Sequence, residues 1–248
     1  GSRARKSSAG YDLTRLMVGS EGTLGIITEL TVRLYPLPEA ISSAVCAFPT
    51  LAAAVQTVIQ TIQLGVPVAR IELLDKLAII AINRHSKTSL REEPTLFFEF
   101  HGSPAGVKEQ AEAVQEIAAD HGGQDFEWAT RPEDRSRLWQ ARHDAYYASI
   151  GLKPGCRALT TDVCVPISAL AEFIAETYQD LDAHELVAPL VGHVGDGNFH
   201  LVLLVDPEND EELARAKGLS WLRAKRAIRM GGTCTGEHGI GIGKQAYM

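Results

Sequence analysis

Four residues able to bind a metal or transfer a proton lie in two glycine-rich segments. Residues 192 to 200 (GHVGDGNFH) hold His193 and His200 seven positions apart around a Gly-Asp-Gly turn. A hairpin at this turn would present both imidazoles at one mouth, and the apolar run after His200 would anchor that side chain on a rigid strand. Imidazole is a common metal ligand, but histidines satisfied within a core remain the alternative for this pair.

The second segment, residues 236 to 239 (GEHG), adds a carboxylate and a third imidazole between glycines. Two imidazoles and one carboxylate make a facial ligand set with open positions for a divalent ion. We therefore predict that His193, His200 and Glu237 bind a metal and that His238 is the base. Zinc, manganese and iron all suit such a set. A surface loop with incidental polar residues is the alternative.

Two further segments could contact a substrate or a cofactor. Arg142 could grip a substrate carboxylate with its planar guanidinium, and Tyr146 would share its helix face one turn later. A solvated arginine is the alternative reading of Arg142. Residues 17 to 28 place three glycines at spacing three before a strand start, which suits backbone amides laid against a flat or phosphate-bearing cofactor. A plain glycine-rich turn explains that spacing too.

Two nucleotide-binding patterns are excluded. Lys244 follows several glycines, but His238 stands where the first glycine of a phosphate loop should be and Gln245 follows the lysine. No G-x-G-x-x-G follows a predicted strand, so a nicotinamide fingerprint is unsupported.

The composition narrows the class of protein. The chain has 248 residues, 45% of them hydrophobic, and a formal net charge of −7, so no basic field exists to attract nucleic acid. No apolar run reaches the roughly 20 residues of a membrane span. The four cysteines are too sparse for a disulfide framework, so we expect free thiols in a reducing compartment.

The elements that must position these residues alternate between strands and helices. Residues 26 to 35 predict a strand that Pro36 and Pro38 end, with a domain boundary near Pro38. Further strands are predicted at 44–48, 67–74, 95–101, 124–130, 157–165, 186–194 and 198–206. Helices are predicted between them, at 50–64, 75–84, 104–121, 132–149 and 167–182, and after residue 207. A basic cluster in the last helix (Arg223, Lys225, Arg226 and Arg229) complements its C-terminal dipole.

This order predicts the α+β class. Strand-helix-strand units combined with a tight hairpin favour a ferredoxin-like plait, a split β-α-β arrangement with a mainly antiparallel sheet and helices on one face.

Four motifs carry a resemblance to a known family. They are GSEGTLGIIT (19–28), PGCR-x3-TDVCVP (154–166), GHVGDGNFH (192–200) and GTCTGEHGIG-x-GK (232–244). Together they resemble the flavin-dependent D-lactate dehydrogenase branch of the FAD-linked oxidase family related to vanillyl-alcohol oxidase. The resemblance implies that residues 1–38 are the tail of an FAD-binding domain. It also implies that residues 39–248 are the substrate-binding cap domain, truncated at its C-terminus, so that the chain is part of a longer enzyme.

The resemblance also implies residue roles. His193, His200 and Glu237 would bind a divalent metal, zinc or manganese, while His238 would be the base and Arg142 would hold the substrate carboxylate. Tyr146 accompanies Arg142, and Asn198 lies near the metal and the substrate. The residues implied to face FAD are Gly19, Ser20, Glu21, Gly22, Gly25 and Ile26.

The implied activity is oxidation of a D-2-hydroxy acid, with D-lactate to pyruvate preferred. A lysine is expected at the position of Thr160 in the branch that acts on hydroxy-dicarboxylates, so Thr160 favours a small monocarboxylate. Glycolate or D-2-hydroxyglutarate dehydrogenases of the same family, and a non-catalytic metal-binding module, are the alternatives. A cytochrome, a quinone or an electron-transfer protein would accept the electrons. The protein could also form a homodimer. The expected location is cytoplasmic or mitochondrial, with peripheral membrane association as a further option.

Overall fold

The computed structural model describes residues 2–248. Gly1, the first residue of the predicted flavin-domain tail, lies outside the described residues. Within them the strands are β1 (Ala40–Ala47), β2 (Val68–Leu74), β3 (Thr95–Gly102), β4 (Gln124–Ala129), β5 (Arg157–Thr160), β6 (Val163–Cys164), β7 (Leu190–His193) and β8 (Asn198–Val205). The helices are α1 (Leu13–Met17), α2 (Leu51–Gln63), α3 (Lys76–Ser86), α4 (Pro104–Asp120), α5 (Pro132–His143), α6 (Ala145–Ile150), α7 (Leu170–His184) and α8 (Asp210–Arg229). None of these helices combines the length and hydropathy that a bilayer crossing requires.

The strands form one antiparallel sheet in the order β4-β1-β3-β2-β7-β8-β5, with β6 also paired to β8. The first four strands contain two interleaved units, β1-α2-β2 and β3-α4-β4, which is the split β-α-β arrangement. The β7-β8 hairpin and β5 extend this plait at the β2 edge. The predicted α+β class with an antiparallel sheet is confirmed.

Side chains alternate between the two faces of the sheet. On β1, Ala44 and Cys46 belong to the larger apolar core, whereas Val45 belongs to a smaller cluster on the opposite face. The four longest helices, α2, α4, α7 and α8, pack on the first face, but the helices are not confined to one face as predicted. The shorter helices α3, α5 and α6 cover part of the second face. Helix composition does not reveal the face that a helix covers, so the sequence could not separate these two sets.

Two predicted strands differ in the structure. Residues 26–35 form no regular structure, and Ile26 is 89% exposed. A segment with alternating apolar and polar residues becomes a strand only where a neighbouring strand accepts and donates its backbone hydrogen bonds. Among the described residues, this segment has no such neighbour. The strand predicted at 157–165 is divided into β5 and β6, because Thr161 and Asp162 between them turn their side chains into the protein.

Two members of the basic cluster of α8 do more than complement the helix dipole, because they are buried and bonded to other elements. Arg223 is fully buried, donates to the Thr161 hydroxyl and lies 4.9 Å from the centre of the Phe199 ring. Arg226 is 9% exposed and forms ion pairs with Glu176 and Asp180 of α7. These contacts fasten α8 to α7 and to the segment between β5 and β6.

Asp75 caps α3 and is a buried titrating group. Its Oδ1 accepts the Ala78 amide at 2.7 Å and its Oδ2 accepts the Tyr178 hydroxyl at 2.6 Å. Burial raises the pKa of Asp75 to about 6, whereas an unfolded aspartate has a pKa of about 3.9. The folded protein therefore binds this proton more tightly than the unfolded chain. The resulting stabilisation is complete below about pH 4 and is lost as the pH rises through about 6.

We expect the substitution Asp75→Asn, which can still cap α3 but cannot ionise, to remove this pH dependence. The difference in free energy of unfolding between wild type and variant should fall by about 3 kcal/mol from pH 4 to pH 7, because the pKa shift is about two units. Urea unfolding at both pH values measures it, with the exposed Asp182→Asn as the control. An equal difference at the two pH values would contradict a raised pKa at Asp75.

Candidate metal and catalytic site

The β7-β8 hairpin brings His193 and His200 together on the second face of the sheet. In its register His193 lies opposite Asn198, two positions from His200, so the three side chains share one face. The centres of the two imidazole rings are 5.6 Å apart. The connection is a 3-10 helix (Val194–Asp196) that Gly197 ends at φ +76°, and a Cβ on Gly197 would lie 2.1 Å from the Val165 carbonyl oxygen.

Glu72 on β2 fixes the orientation of His193. Its Oε1 accepts from His193 Nδ1 at 2.8 Å, and its Oε2 accepts from Arg142 Nη2 at 2.8 Å. Burial by itself would raise the pKa of Glu72, but the hydrogen bond from His193 and the charge of Arg142 hold that pKa below its usual value. The carboxylate is therefore ionised, and His193 Nδ1 must be the donor. The hydrogen bond to Glu72 also raises the pKa of His193, and its Nε2 lies 3.4 Å from Glu237 Oε1, so a metal ion between these two atoms would take the place of a proton on Nε2.

A backbone carbonyl gives His200 the same tautomer. His200 Nδ1 donates to the Thr161 carbonyl oxygen at 3.0 Å, so Nε2 carries a lone pair. Burial is the main reason that the pKa of His200 lies below its usual value, so the neutral imidazole is favoured. His200 Nε2 is buried and makes no well-aligned hydrogen bond among the described residues, although Glu237 Oε1 lies 2.9 Å away. A neutral imidazole whose Nε2 lone pair points toward a neighbouring carboxylate is suited to ligate a metal between the two groups.

Asp162, between β5 and β6, holds the loop that carries Glu237 and His238. Its side chain is fully buried. Its Oδ2 accepts five hydrogen bonds, from Thr235 Oγ1 at 2.7 Å, from Lys244 Nζ at 3.4 Å and from the amides of Gly236 at 2.9 Å, Glu237 at 3.1 Å and His238 at 2.9 Å. Burial opposes ionisation, but the amide of His238 and the Thr235 hydroxyl outweigh it and hold the pKa of Asp162 far below its usual value. The loop is thus wrapped around a buried carboxylate.

Three donor atoms converge where the hairpin meets this loop. Glu237 Oε1 lies 2.9 Å from His200 Nε2 and 3.4 Å from His193 Nε2. All three ligand atoms lie within 4.8 Å of one another. Ligands at about 2.0 to 2.1 Å from a tetrahedral zinc are about 3.4 Å apart, which agrees with these separations. The residues therefore fit a divalent ion, and the partners of both Nδ1 atoms match those usual for metal-bound histidines.

A second set of possible ligands overlaps the first. Asp162, His200 and His238 also have ligand atoms within 4.8 Å of one another. Asp162 Oδ2 is already saturated by hydrogen-bond donors, and its Oδ1 accepts from Asn198 Nδ2 at 3.2 Å. A carboxylate with its lone pairs committed in this way is a poor ligand, so the geometry favours the set of His193, His200 and Glu237.

His238 lies at the mouth of the site. Its ring stacks on that of His200, with centres 4.8 Å apart and planes at 5°. The side chain is 41% exposed, and its Nε2 lies 3.6 Å from Glu237 Oε1. An imidazole that is open to solvent beside the convergent ligand atoms can accept a proton from a bound molecule.

The predicted substrate residues have different surroundings. The Arg142 side chain is only 12% exposed, and its Nε and Nη2 both donate to Glu72, so it is not a solvated arginine. Tyr146 is 42% exposed and contacts Tyr147 edge-on at 5.5 Å. The predicted common face of Arg142 and Tyr146 is not on one helix, because α5 ends at His143 and α6 begins at Ala145.

Asn198 lies beneath the loop that carries Glu237. It is 6% exposed, its Nδ2 donates to Asp162, and its Oδ1 is buried without a partner among the described residues. A Cβ on Gly236 would lie 1.6 Å from Asn198 Nδ2. Only glycine therefore lets the loop approach Asn198 at this point.

The glycine segment predicted to face FAD lies in the irregular N-terminal part of the chain. Gly19 and Gly22 both have φ near +80°, which favours glycine. Gly25 and Ile26 are exposed, as is most of this segment, while Ser20 is partly buried. Glu21 differs, because its carboxylate bonds the amides of Ile240 and Gly241 just beyond His238.

Sequence reasoning missed Glu72 and Asp162 as members of the site. Each is an ionisable residue within an apolar strand pattern, at Arg70 to Leu74 (RIELL) and at residues 160 to 165 (TTDVCV). A charge inside a buried strand needs a partner, and that is the signal that could have marked both residues. The pattern does not identify the partner.

We expect Glu72→Gln to lower the affinity of the site for zinc or manganese by roughly 10- to 100-fold, the usual cost of losing an outer-shell partner. A neutral amide no longer fixes the His193 tautomer, and it leaves Arg142 buried without a counter-charge, at a cost of about 3 kcal/mol in stability. Metal titration and urea unfolding measure the two effects. The exposed Glu127→Gln on β4 is the control, and an unchanged metal affinity in Glu72→Gln would exclude this role.

The fold is shared with a solved structure of low sequence identity. Alkyldihydroxyacetonephosphate synthase superimposes with a TM-score of 0.64 over 92% of this chain and 46% of its own chain, at 17% identity. This likeness shows the fold and places the chain among plait domains of that kind. The chain belongs to the family of FAD linked oxidases, C-terminal domain, whose family model matches residues 37–248. The resemblance stated from the four motifs is thereby confirmed.

Curated relatives cover the whole chain. The probable mitochondrial D-lactate dehydrogenase of Danio rerio is 54% identical over 100% of this chain and 50% of its own length. The mitochondrial D-lactate dehydrogenase (cytochrome) of Arabidopsis thaliana is 49% identical over 100% of this chain and 44% of its own length. The chain thus spans about half the length of the curated relatives it matches.

Proposed function

We propose that this chain is the substrate-binding part of an FAD- and divalent-metal-dependent dehydrogenase that oxidises D-lactate to pyruvate. The convergence of His193, His200 and Glu237, with His238 at the mouth, carries the proposal. Membership of the FAD-linked oxidase family supports the flavin, and the names of the two relatives support the substrate. In this proposal residues 1–38 end an FAD-binding domain and residues 39–248 form the cap domain.

In this proposal, different residues of the chain bind the metal and accept the proton. Bound FAD would supply the acceptor for the hydride from C2, and a bound divalent ion would supply polarisation of the C2 hydroxyl group. His238 takes the hydroxyl proton at Nε2, and its 41% exposed ring can pass that proton to solvent. His193, His200 and Glu237 would hold the metal, with Glu72 and the Thr161 carbonyl fixing the two imidazoles.

Arg142 supplies positive charge for the substrate carboxylate. Its Nε and Nη2 are held by Glu72, so Nη1 is the group that would reach the substrate. Tyr146 and Asn198 complete the proposed substrate contacts. Thr160, at the end of β5, carries no charge, so a second carboxylate would find no cation at that position. This favours a small monocarboxylate over D-2-hydroxyglutarate, and glycolate remains the alternative among small substrates.

The relatives' printed names also bear on the electron acceptor and the location. The Arabidopsis thaliana relative is named a cytochrome-type enzyme, which supports a cytochrome as the electron acceptor of this protein, ahead of a quinone or an electron-transfer protein. Both relatives are named mitochondrial, which supports a mitochondrial location.

The test is an anaerobic visible spectrum of the full-length protein that carries this chain, recorded before and after adding substrate. D-lactate should bleach the oxidised-flavin band, while L-lactate, glycolate and D-2-hydroxyglutarate in separate samples should not. A sample stripped of divalent metal should reduce slowly with D-lactate, and added zinc or manganese should restore the rate. A flavin that stays oxidised with D-lactate would refute the substrate, and a protein without flavin would instead favour a metal-binding module.

A further inference from the structure

We infer that Glu21 is a positioning residue that fixes the loop of residues 235–241 from the N-terminal segment. This loop carries Glu237 and His238, so the inference rests on the proposed function and adds a residue to that site. This role differs from the predicted contact of Glu21 with FAD. The two are compatible, because a contact between the Glu21 backbone and the cofactor would leave the side-chain carboxylate available to bind the loop.

The carboxylate of Glu21 fits two consecutive amides. Its Oε1 accepts from Ile240 N at 2.6 Å and its Oε2 accepts from Gly241 N at 2.6 Å. Successive amides that point the same way form a concave anion site, and here the anion is a side chain of the same chain. These two amide bonds, from Ile240 first and then from Gly241, hold the pKa of Glu21 below its usual value, so the group is charged at neutral pH.

The backbone on both sides is shaped for this contact. Gly239 and Gly241 have φ of +79° and +50°, and a Cβ on Gly239 would lie 2.8 Å from Glu21 Oε1. Glu21 itself has φ +48°, a region that a side chain other than glycine adopts at a cost of about 1 kcal/mol. The unusual conformations occur on both partners at the point where they meet.

Two carboxylates divide the amides of the loop between them. Asp162 binds those of residues 236 to 238 from the core side, and Glu21 binds those of 240 and 241 from the N-terminal side. The described loop has no helix or strand that could hold Glu237 in place. Glu237 and His238 lie between the two anchors, so their positions depend on both. If residues 1–38 are the end of the flavin domain, Glu21 links the flavin side of the enzyme directly to the metal site.

The experiment compares Glu21→Gln with Glu29→Gln in the full-length protein that carries this chain. Glu29 lies in the same exposed segment and has no hydrogen bond or ion pair among residues 2–248, so it is a matched control. Hydrogen exchange of the peptide spanning 236–243 measures loop order, and Mn²⁺ titration measures the metal site. Steady-state turnover with D-lactate supplies kcat and KM.

Glu21→Gln should speed exchange of the loop amides about tenfold or more and weaken Mn²⁺ binding about tenfold, in the range of an outer-shell change. The loss in turnover should fall on kcat rather than on KM, since Glu21 does not touch the substrate carboxylate. Glu29→Gln should match the wild type in every measurement. Loop exchange and Mn²⁺ affinity equal to those of the control would overturn the inference, as would loss of flavin alone with both of these unchanged.

The two proposals fail in distinguishable ways. If D-lactate does not reduce the flavin but Glu21→Gln still loosens the loop and weakens Mn²⁺ binding, the substrate assignment is wrong and the role of Glu21 stands. If D-lactate reduces the flavin at the same rate in Glu21→Gln, with unchanged loop exchange, the function stands and the role of Glu21 is wrong.

Discussion

Replacing Glu237 with glutamine is expected to lower the affinity for a divalent metal by at least about 100-fold, beyond the cost of losing an outer-shell partner. Glu237 Oε1 lies 2.9 Å from His200 Nε2 and 3.4 Å from His193 Nε2, so it is the charged member of the proposed ligand set. The glutamine keeps the shape and the backbone bond to Asp162. The loss therefore reports on the ligand atom and not on the fold.

Metal content after dialysis and the rate of flavin reduction by D-lactate measure this effect together, and the rate should fall in proportion to metal occupancy. Glu109→Gln on the exposed side of α4 is the control for removing one negative charge. Glu237→Gln with full metal occupancy and full turnover would show that the ligand assignment is wrong. The overlapping set of Asp162, His200 and His238 would then be the next to test.

Much of the fold was predictable because its signals are local. Thr50 and Ser103 each cap the helix that follows them, and Pro104 is the first residue of α4. The start of each of these helices could therefore be predicted from residues next to it. The prediction of a strand at residues 26–35 was wrong because it rested on a local signal alone. Its alternation is local, but a strand exists only with a neighbour, and the described residues offer it none.

The candidate site likewise has one part that local sequence predicts and another part that depends on the packing of the whole chain. The hairpin that joins His193 to His200 could be predicted from one turn, because both residues lie within seven positions of it. Glu72 lies 121 positions from His193, and the two meet only because β2 pairs with β7. Strand order depends on the packing of the whole sheet, and a periodic pattern contains no information on it. The same holds for Asp162, which is 75 positions from Glu237.

Asp162→Asn is expected to disorder the loop of residues 235–241 and to abolish metal binding and turnover with it. Oδ2 accepts from five donors, one of them the Lys244 ammonium, and Oδ1 accepts from Asn198 Nδ2. Asparagine has one accepting oxygen and one donating NH₂ group. In either orientation of the side-chain amide, the NH₂ group would therefore face groups that also donate. A buried donor left unpaired costs about 1 to 3 kcal/mol, and the lost charge weakens the remaining bonds, so we expect a loss of at least about 3 kcal/mol in stability.

Urea unfolding, hydrogen exchange of the 236–243 peptide and Mn²⁺ titration separate the parts of this effect. Asp120→Asn at the exposed end of α4 controls for the change in charge. The pKa of Asp162 is held far below its usual value by the loop amides, so its contribution to stability is complete above the unfolded pKa of about 3.9 and is lost progressively as the pH falls below it. Comparing wild type with Asp162→Asn should therefore give the same difference at pH 5 and pH 8. A variant with wild-type loop protection would show that the buried carboxylate does not hold the loop, and that the metal ligands are positioned by some other contact.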